Sequence, residues 1–277
     1  MQVKQLEENV GMPLLEQQGK RISLTEAGRE VYDLARRVSN QIDQTEESLR
    51  QLRGDRGGRL RLAVVGTANY FVPQLVTAFR QAHPEVTVSL TVNNRASVVN
   101  SLLFNERDLA IVGDLPAGVE LDGQPFMDNH LVVIGPPHHG LAGLGPIPLE
   151  RLKQEVFLVR EPGSSSRMAM EDIFASHGIS FAAGMEMSSN EAIKQAVQAG
   201  LGLGIVALHT VGLELETRRL VVLPVERFPV VRQWHIAHRP GKRLPLVAEQ
   251  FRAFILKEAA SLAPLPIPRP VLGTLAD

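Results

Sequence analysis

No cysteine occurs anywhere in the chain. That absence excludes a disulfide framework, a thiolate zinc site and thiol nucleophilic catalysis, and it fits a reducing cytoplasm. No apolar run is long enough to span a bilayer, since the longest, around Leu201 to Leu208, falls far short. The first residues carry Glu7 and Glu8 in place of a basic region followed by an apolar core, so neither secretion nor membrane insertion is expected. There is no excess of one charge either: 29 Lys and Arg face 30 Asp and Glu, a formal charge of -1. Composition therefore gives no global sign of nucleic-acid binding. What is present is a globular composition, 44% hydrophobic and 21% charged over 277 residues. This is enough for one large domain or two to three modest ones, each with a real core.

The first fifty residues read as a unit of their own. "MQVKQLEENVG" places Val3, Leu6 and Val10 at helical spacing with Gly11 as the stop. No N-cap residue precedes that pattern, so the reading is a helix that starts partway in. "MPLLEQQGKRISLT" puts Gly19, Lys20 and Arg21 at the tip of a short hairpin, with Ile22 and Leu24 alternating after it: a small β wing. Thr25 then caps a helix that runs without a breaker from Glu26 to Leu52, about 40 Å of rod. Along it Val31, Ala35, Val38, Ile42, Thr45, Leu49 and Leu52 alternate spacings of four and three, the a/d seam of a coiled coil. The mostly polar remainder of the rod favours a dimer seam over packing on the chain's own body. "RGDRGGR" follows as a hinge.

From Arg59 strands and helices take turns: "RLRLAVVG", "VPQLVTAFRQAHP", "VTVSLTV", "ASVVNSLLFNERD", "LAIVG", "LVVIG", "EVFLV", "SSRMAMEDIFASHG", "NEAIKQAVQAG", "LGIVAL" and "RQWHIAHR" before a last helix from Leu244 to Ala263. The alternation predicts an α/β fold with a largely parallel sheet. So many elements in about 200 residues suggest two lobes, whose ligands bind at the carboxyl ends of the strands. The tail "PLPIPRPVLGTLAD" is proline-rich and reads as unstructured.

These segments carry a resemblance. "VKQLEENVGMPLLEQQGKRISLTEAGREVY" is similar to the second half of the winged helix-turn-helix of LysR-type transcriptional regulators, and the long helix resembles that family's dimerising linker helix. The two-lobed part resembles the family's effector domain, similar in fold to periplasmic substrate-binding proteins of type 2. "REPGSSSRMAMEDIF", "MEMSSNEAIKQAVQAGLGLGIVALHTVGLEL" and "FPVVRQWHIAHRPGKRL" resemble most the CbbR/CmpR-like branch, which controls carbon dioxide fixation and bicarbonate uptake operons.

The resemblance implies a layout. Residues 1–25 would be a partial winged helix-turn-helix, lacking the first part of that motif, 26–53 the dimerisation helix, 54–58 a hinge, 59–262 the effector domain and 263–277 the tail. Lobe I would take about 59–134 and 237–262, and lobe II about 135–236. The family's partners are double-stranded operator DNA and a second copy, with homotetramers beyond the dimer. Candidate DNA contacts are Gln2 and Gln5 for base edges, Lys4 for phosphate, and Lys20 and Arg21 through the wing. Residues 1–53 hold eight Lys and Arg against nine Asp and Glu, so composition makes no basic face evident in the fragment, and operator binding by this chain is expected to be impaired. The branch implies phosphorylated or carboxylated effectors of carbon fixation, such as ribulose bisphosphate or phosphoglycolate.

Loops after strands supply the candidate effector site. Thr67 and Asn69 follow the first strand; Asn93, Asn94 and Arg95 follow the second; Ser164, Ser165, Ser166 and Arg167 open a later helix, and Ser189 and Asn190 another. Hydroxyls, free amides and guanidinium groups at helix starts suit a phosphate or carboxylate. Each cluster alone also reads as ordinary capping.

Catalytic motifs are missing. No G-x-S-x-G elbow or H-E-x-x-H occurs, and "GLGLG" at Gly200 to Gly204 lacks the preceding strand of a dinucleotide fingerprint and reads as a helix stop and turn. His138 and His139 have no further ligands at metal spacing, and neither a metal nor a cofactor is expected. Met168, Met170, Met185 and Met187 read as core filler, and Trp234 as part of a buried strand crossing between lobes. Two classes stay open: an effector-responsive transcription regulator, and a free-standing binding protein or enzyme on the same fold. The seam and the wing favour the first.

Overall fold

The computed structural model describes residues 2–19, 21–52 and 57–266. Helix α1 (Gln2–Val10) ends at Gly11, whose positive φ of 75° lets its N–H donate back to Glu7 O at 2.8 Å. The Glu7 carboxylate accepts from Leu14 N at 2.7 Å and Leu15 N at 3.1 Å, tying α1 to an antiparallel wing of β1 (Leu15–Gln18) and β2 (Arg21–Leu24). Thr25 Oγ1 accepts from Gly28 N at 2.9 Å and caps α2 (Glu26–Leu52). Gly28 is obligatory: a Cβ there would stand 1.9 Å from Leu14 O, against the backbone that enters the wing.

Of the seam residues, Ala35, Val38, Ile42, Thr45 and Leu49 face solvent and Val31 is half-buried; the side chain of Leu52 lies outside the described residues. Val38, Ile42 and Leu49 are each more than half exposed, at 51%, 56% and 51%. The helix does touch the body, but with its polar side. Asn40 Nδ2 donates to Phe104 O at 2.9 Å, and Arg36 pairs with Glu106 while lying 5.3 Å from the Phe104 ring centroid and 5.4 Å from that of Tyr32.

The body is built in chain order from β3 (Gly58–Val65), a 3-10 turn (Gly66–Tyr70), α3 (Val72–Ala82), β4 (Val86–Asn93), α4 (Arg95–Leu103), β5 (Leu109–Val112) and β6 (Asp122–Gly135). After a second 3-10 turn (Leu149–Gln154) come β7 (Val156–Arg160), α5 (Ser165–Ser176), β8 (Ala182–Met187), α6 (Asn190–Gln198) and β9 (Leu203–Ala207). A third 3-10 turn (Leu208–Thr210), α7 (Gly212–Glu216), β10 (Val221–Val222), β11 (Val230–His238) and α8 (Leu246–Leu262) complete it.

The strand order is β4-β3-β5-β11-β6-β9-β7-β8, with β10 added on β6. The sheet is mixed, which corrects the expectation of a largely parallel one. β3 pairs parallel with β4 and β5, and β7 with β8 and β9, but β6 and β11 run antiparallel to each other and to their other partners. The reason is the two crossings. β6 and β11 each span both lobes, so each lobe closes with a strand that arrives from the other.

The cores follow. In lobe I, α3 and α8 pack Leu75, Phe79, Phe251 and Ile255 against Leu60, Leu62 and Ile111, and α4 covers the opposite face with Val98 and Leu102. In lobe II, α5 and the second 3-10 turn bury Phe174 and Leu152 on one face, and α6 buries Ile193 and Val197 on the other. β6 passes from one core to the other between Met127 and Leu131, and β11 between Val230 and Trp234. The methionines divide, contrary to the expectation of uniform core filler. Met170 is buried and Met187 packs at the edge of a core, whereas Met168 and Met185 are exposed. Gly200 stops α6 with φ of 80°, and Gly204 lies within β9. No helix among the described residues is long and apolar enough to cross a membrane.

Candidate functional site

Between the lobes lies a cleft of about 400 Å³, walled by the loops that leave β3, β4, β5 and β7. Thr67, Asn93, Asn94 and Arg95 come from lobe I and Ser164, Ser165 and Ser166 from lobe II. Two helices open at this wall. Asn94 Oδ1 accepts from Ser97 N at 2.9 Å and caps α4; Ser164 Oγ accepts from Arg167 N at 3.3 Å and caps α5. The capping reading therefore holds for both clusters, and the remaining N–H groups and hydroxyls of those first turns are left for an anion.

Among the described residues Arg95 is the available cation of the cleft. Its Nη1 reaches only the Met168 sulfur at 3.2 Å across the gap, and its Nε is buried without a partner among the described residues. Burial lowers its pKa from the ordinary guanidinium value, and the Asp114 carboxylate opposes that; Arg remains charged throughout. Arg160 also borders the cleft, but Glu161 holds it with two bonds of 2.8 Å.

Four candidates are not in the cleft wall: Asn69, Arg167, Ser189 and Asn190. Arg167 is spent elsewhere, on Glu186 at 2.7 Å, Glu171 at 2.8 Å and Arg160 O at 2.8 Å, and those carboxylates raise its pKa. Ser189 caps α6 by accepting from Ala192 N at 3.1 Å. The first turn of α6 is covered by Tyr70 of lobe I, whose hydroxyl donates to Glu191 at 3.0 Å. Beneath it Lys194 is buried, 4.7 Å from the Tyr70 ring centroid and bonded to Glu214 at 2.7 Å and Glu191 at 2.9 Å. Burial alone would lower the Lys194 pKa, but the two carboxylates overcome it and the net shift is upward. That side of the interlobe contact is structural.

Sequence reading missed Gly113, Asn129 and Leu131, and assigned Trp234 to the core alone; all four line the cleft. They come from the end of β5 and from the crossing strands, not from the strand-to-helix loops that capping signals mark. The lobes also come close at Gly113, where a Cβ would lie 3.2 Å from Ser165 Oγ and 3.9 Å from Asn129 Nδ2.

At the other end of the chain, Gln2, Lys4 and Gln5 are exposed on α1. Lys20 lies outside the described residues, as does the side chain of Arg21. Of the hinge expected at 54–58, residues 54–56 also lie outside them and Gly58 opens β3; of the tail expected at 263–277, residues 267–277 lie outside them, while Ala263 is buried and Leu265 packs on a lobe II core. Among the described residues no group of three or more His, Asp and Glu side chains is placed to hold a metal ion.

A two-lobed α/β body with a cationic interlobe cleft, carried on a wing and a long helix, is the architecture of a ligand-responsive regulator. Residues 53–260 match the LysR substrate binding domain, and the chain belongs to the LysR family of transcription regulators. It is 50% identical over 262 residues to a RuBisCO operon transcriptional regulator of Allochromatium vinosum, covering 95% of this chain and 87% of that one. It is 41% identical to the transcriptional activator CmpR of Synechocystis, at 95% and 87% coverage. Among solved structures, the regulatory domain of Synechocystis CcmR in complex with 2-PG matches with a TM-score of 0.70 and 39% identity, over 74% of this chain and 98% of that one. An OxyR mutant of Corynebacterium glutamicum matches over 94% of this chain with a TM-score of 0.66 and 22% identity, a likeness of fold.

Proposed function

We propose that this protein is a cytoplasmic regulator of carbon dioxide fixation genes that senses a small phosphorylated or carboxylated metabolite in the interlobe cleft. One observation carries the effector class. Arg95 is a partly desolvated cation with no carboxylate in hydrogen-bond reach among the described residues, beside the open first turns of α4 and α5. An anion there would gain charge-assisted hydrogen bonds from groups that are already in place. The gene class is supported by the relatives that regulate the RuBisCO operon. The 2-PG bound to CcmR supports the effector class.

The exposed a/d seam of α2 joins two copies in this reading, and dimers pair into tetramers. Closure of the lobes on the anion is passed through those contacts to operator DNA, which α1 meets through Gln2, Lys4 and Gln5, and the wing through Lys20 and Arg21. No catalytic role is assigned.

A thermal-shift titration tests the effector reading, with ribulose 1,5-bisphosphate, 2-phosphoglycolate, inorganic phosphate and an uncharged sugar. A phosphorylated metabolite at about 100 Kd is expected to add roughly 2.7 kcal/mol and raise Tm by several degrees, while the sugar does nothing. Silence from every anion at low ionic strength would contradict the reading.

A further inference from the structure

The cleft floor is not simply cationic. β6 alternates across the crossing, with Asn129 and Leu131 facing the cleft and Asp128 and His130 lining a second hollow on the opposite side of the sheet. Asn129 is 4% exposed and its Oδ1 has no hydrogen-bond partner among the described residues. Trp234 is 1% exposed, lines the same cleft, and its Nε1–H has no partner either. The two belong together: Asn129 pairs in register with Arg232, so Trp234 stands two residues along the facing strand, on the same side of the sheet and within diagonal reach. The ring of Trp234 is held in place, meeting Phe71 edge-on with centroids 5.1 Å apart.

An orphaned acceptor and an orphaned donor at one buried place are costly unless a ligand satisfies both. A phosphate or carboxylate oxygen serves the indole N–H but meets Asn129 Oδ1 as a second acceptor. A hydroxyl serves both, since it donates one hydrogen and accepts another. We propose that Asn129 and Trp234 form a hydroxyl-reading subsite, so that the effector of this chain is a hydroxylated anion whose acidic group lies on Arg95 and whose hydroxyl lies between these two side chains. This rests on the effector reading above and narrows it. The charge is bound by Arg95 and the first turns of α4 and α5, and the choice among anions is made on the floor.

The discriminating experiment is calorimetric titration with 3-phosphoglycerate and with its 2-deoxy counterpart, 3-phosphooxypropanoate, which differ by one hydroxyl at equal charge. The wild-type chain is expected to bind the hydroxylated anion at least about tenfold more tightly, the value of one or two well-made buried hydrogen bonds. Asn129→Leu and, separately, Trp234→Phe are expected to bring the ratio of the two affinities towards one. Because Trp234 is the only tryptophan in the sequence, a change in its fluorescence on titrating wild type or Asn129→Leu places the event at this cleft. Equal affinity of wild type for the two anions overturns the subsite, whether or not either variant folds. So does a preserved preference in a folded Asn129→Leu or Trp234→Phe. Binding of neither anion overturns the subsite, and silence from every anion of the thermal-shift series overturns the effector reading itself, which is a distinct result.

Discussion

Arg95 Nη1 stands 3.2 Å from Met168 Sδ, a contact that joins the first turn of α4 in lobe I to α5 in lobe II across the cleft mouth. A thioether is a weak acceptor, so the guanidinium is parked there and not held. An anion that offered two oxygens would draw it away at little cost. Met168→Leu keeps the volume and removes the sulfur. It is expected to leave metabolite affinity within about threefold, because a volume-conserving swap at a half-exposed site costs little. A calorimetric titration of the variant checks this.

Lobe I hides one carboxylate completely. Asp108 is fully buried and accepts from Arg61 N and Nη2, each at 2.9 Å, and from Lys242 Nζ at 3.1 Å. Burial lowers the Lys242 pKa and Asp108 works against that shift. Asp108→Asn leaves two cations facing a neutral amide, so urea unfolding should show a loss of about 3–5 kcal/mol.

His209 sits under the ring of Phe71 at 5.4 Å, with its Nε2 3.2 Å from Ala263 O and its Nδ1 buried without a partner among the described residues. Burial lowers its pKa, the Ala263 carbonyl opposes that, and nearby His130 adds to the lowering. The unfolded chain therefore takes up this proton more readily than the folded one. Its contribution to stability is complete above the ordinary histidine value of about 6.5 and is lost as pH falls from there through the lower folded pKa. Melting of wild type against His209→Asn from pH 8 to 5 should show the difference shrinking or reversing on the acid side.

The linker helix gives a test of assembly. Ile42 is 56% exposed in the middle of the α2 seam. Ile42→Glu places a charge at a core position of the proposed coiled coil and should halve the sedimenting mass, leaving only the contact through which dimers pair, with the fold of the body retained. An unchanged mass would move the dimer contact elsewhere.

The elements that sequence made legible are those with a local signal. The rod from Glu26 to Leu52 carried its own cap at Thr25 and its own seam, and the helix starts at Asn94, Ser164 and Ser189 carried capping residues. The crossing strands were legible only in part, since "LVVIG" and "RQWHIAHR" read as strands and Trp234 as crossing between lobes. The first half of β6, "DGQPFMDNH", is polar and contains Pro125, so it reads as a loop, and only the pairing with β11 makes it a strand with an irregularity beside that proline. The sheet direction and the cleft floor were lost with it. Arg167 shows the complementary failure: residue type and loop position suited an anion, but Glu171 and Glu186, one four residues along α5 and the other on a neighbouring strand, take up its charge.

The most direct measurement is a calorimetric titration of a phosphorylated carboxylate into the wild-type chain and into Arg95→Met. Arg95→Met keeps the length and apolar stem while removing the charge. Loss of a charge-assisted hydrogen bond of about 1.5–3 kcal/mol should weaken binding roughly ten- to a hundred-fold, with an unchanged Tm in the absence of the anion. Equal affinity in the two proteins would contradict a cleft organised around Arg95.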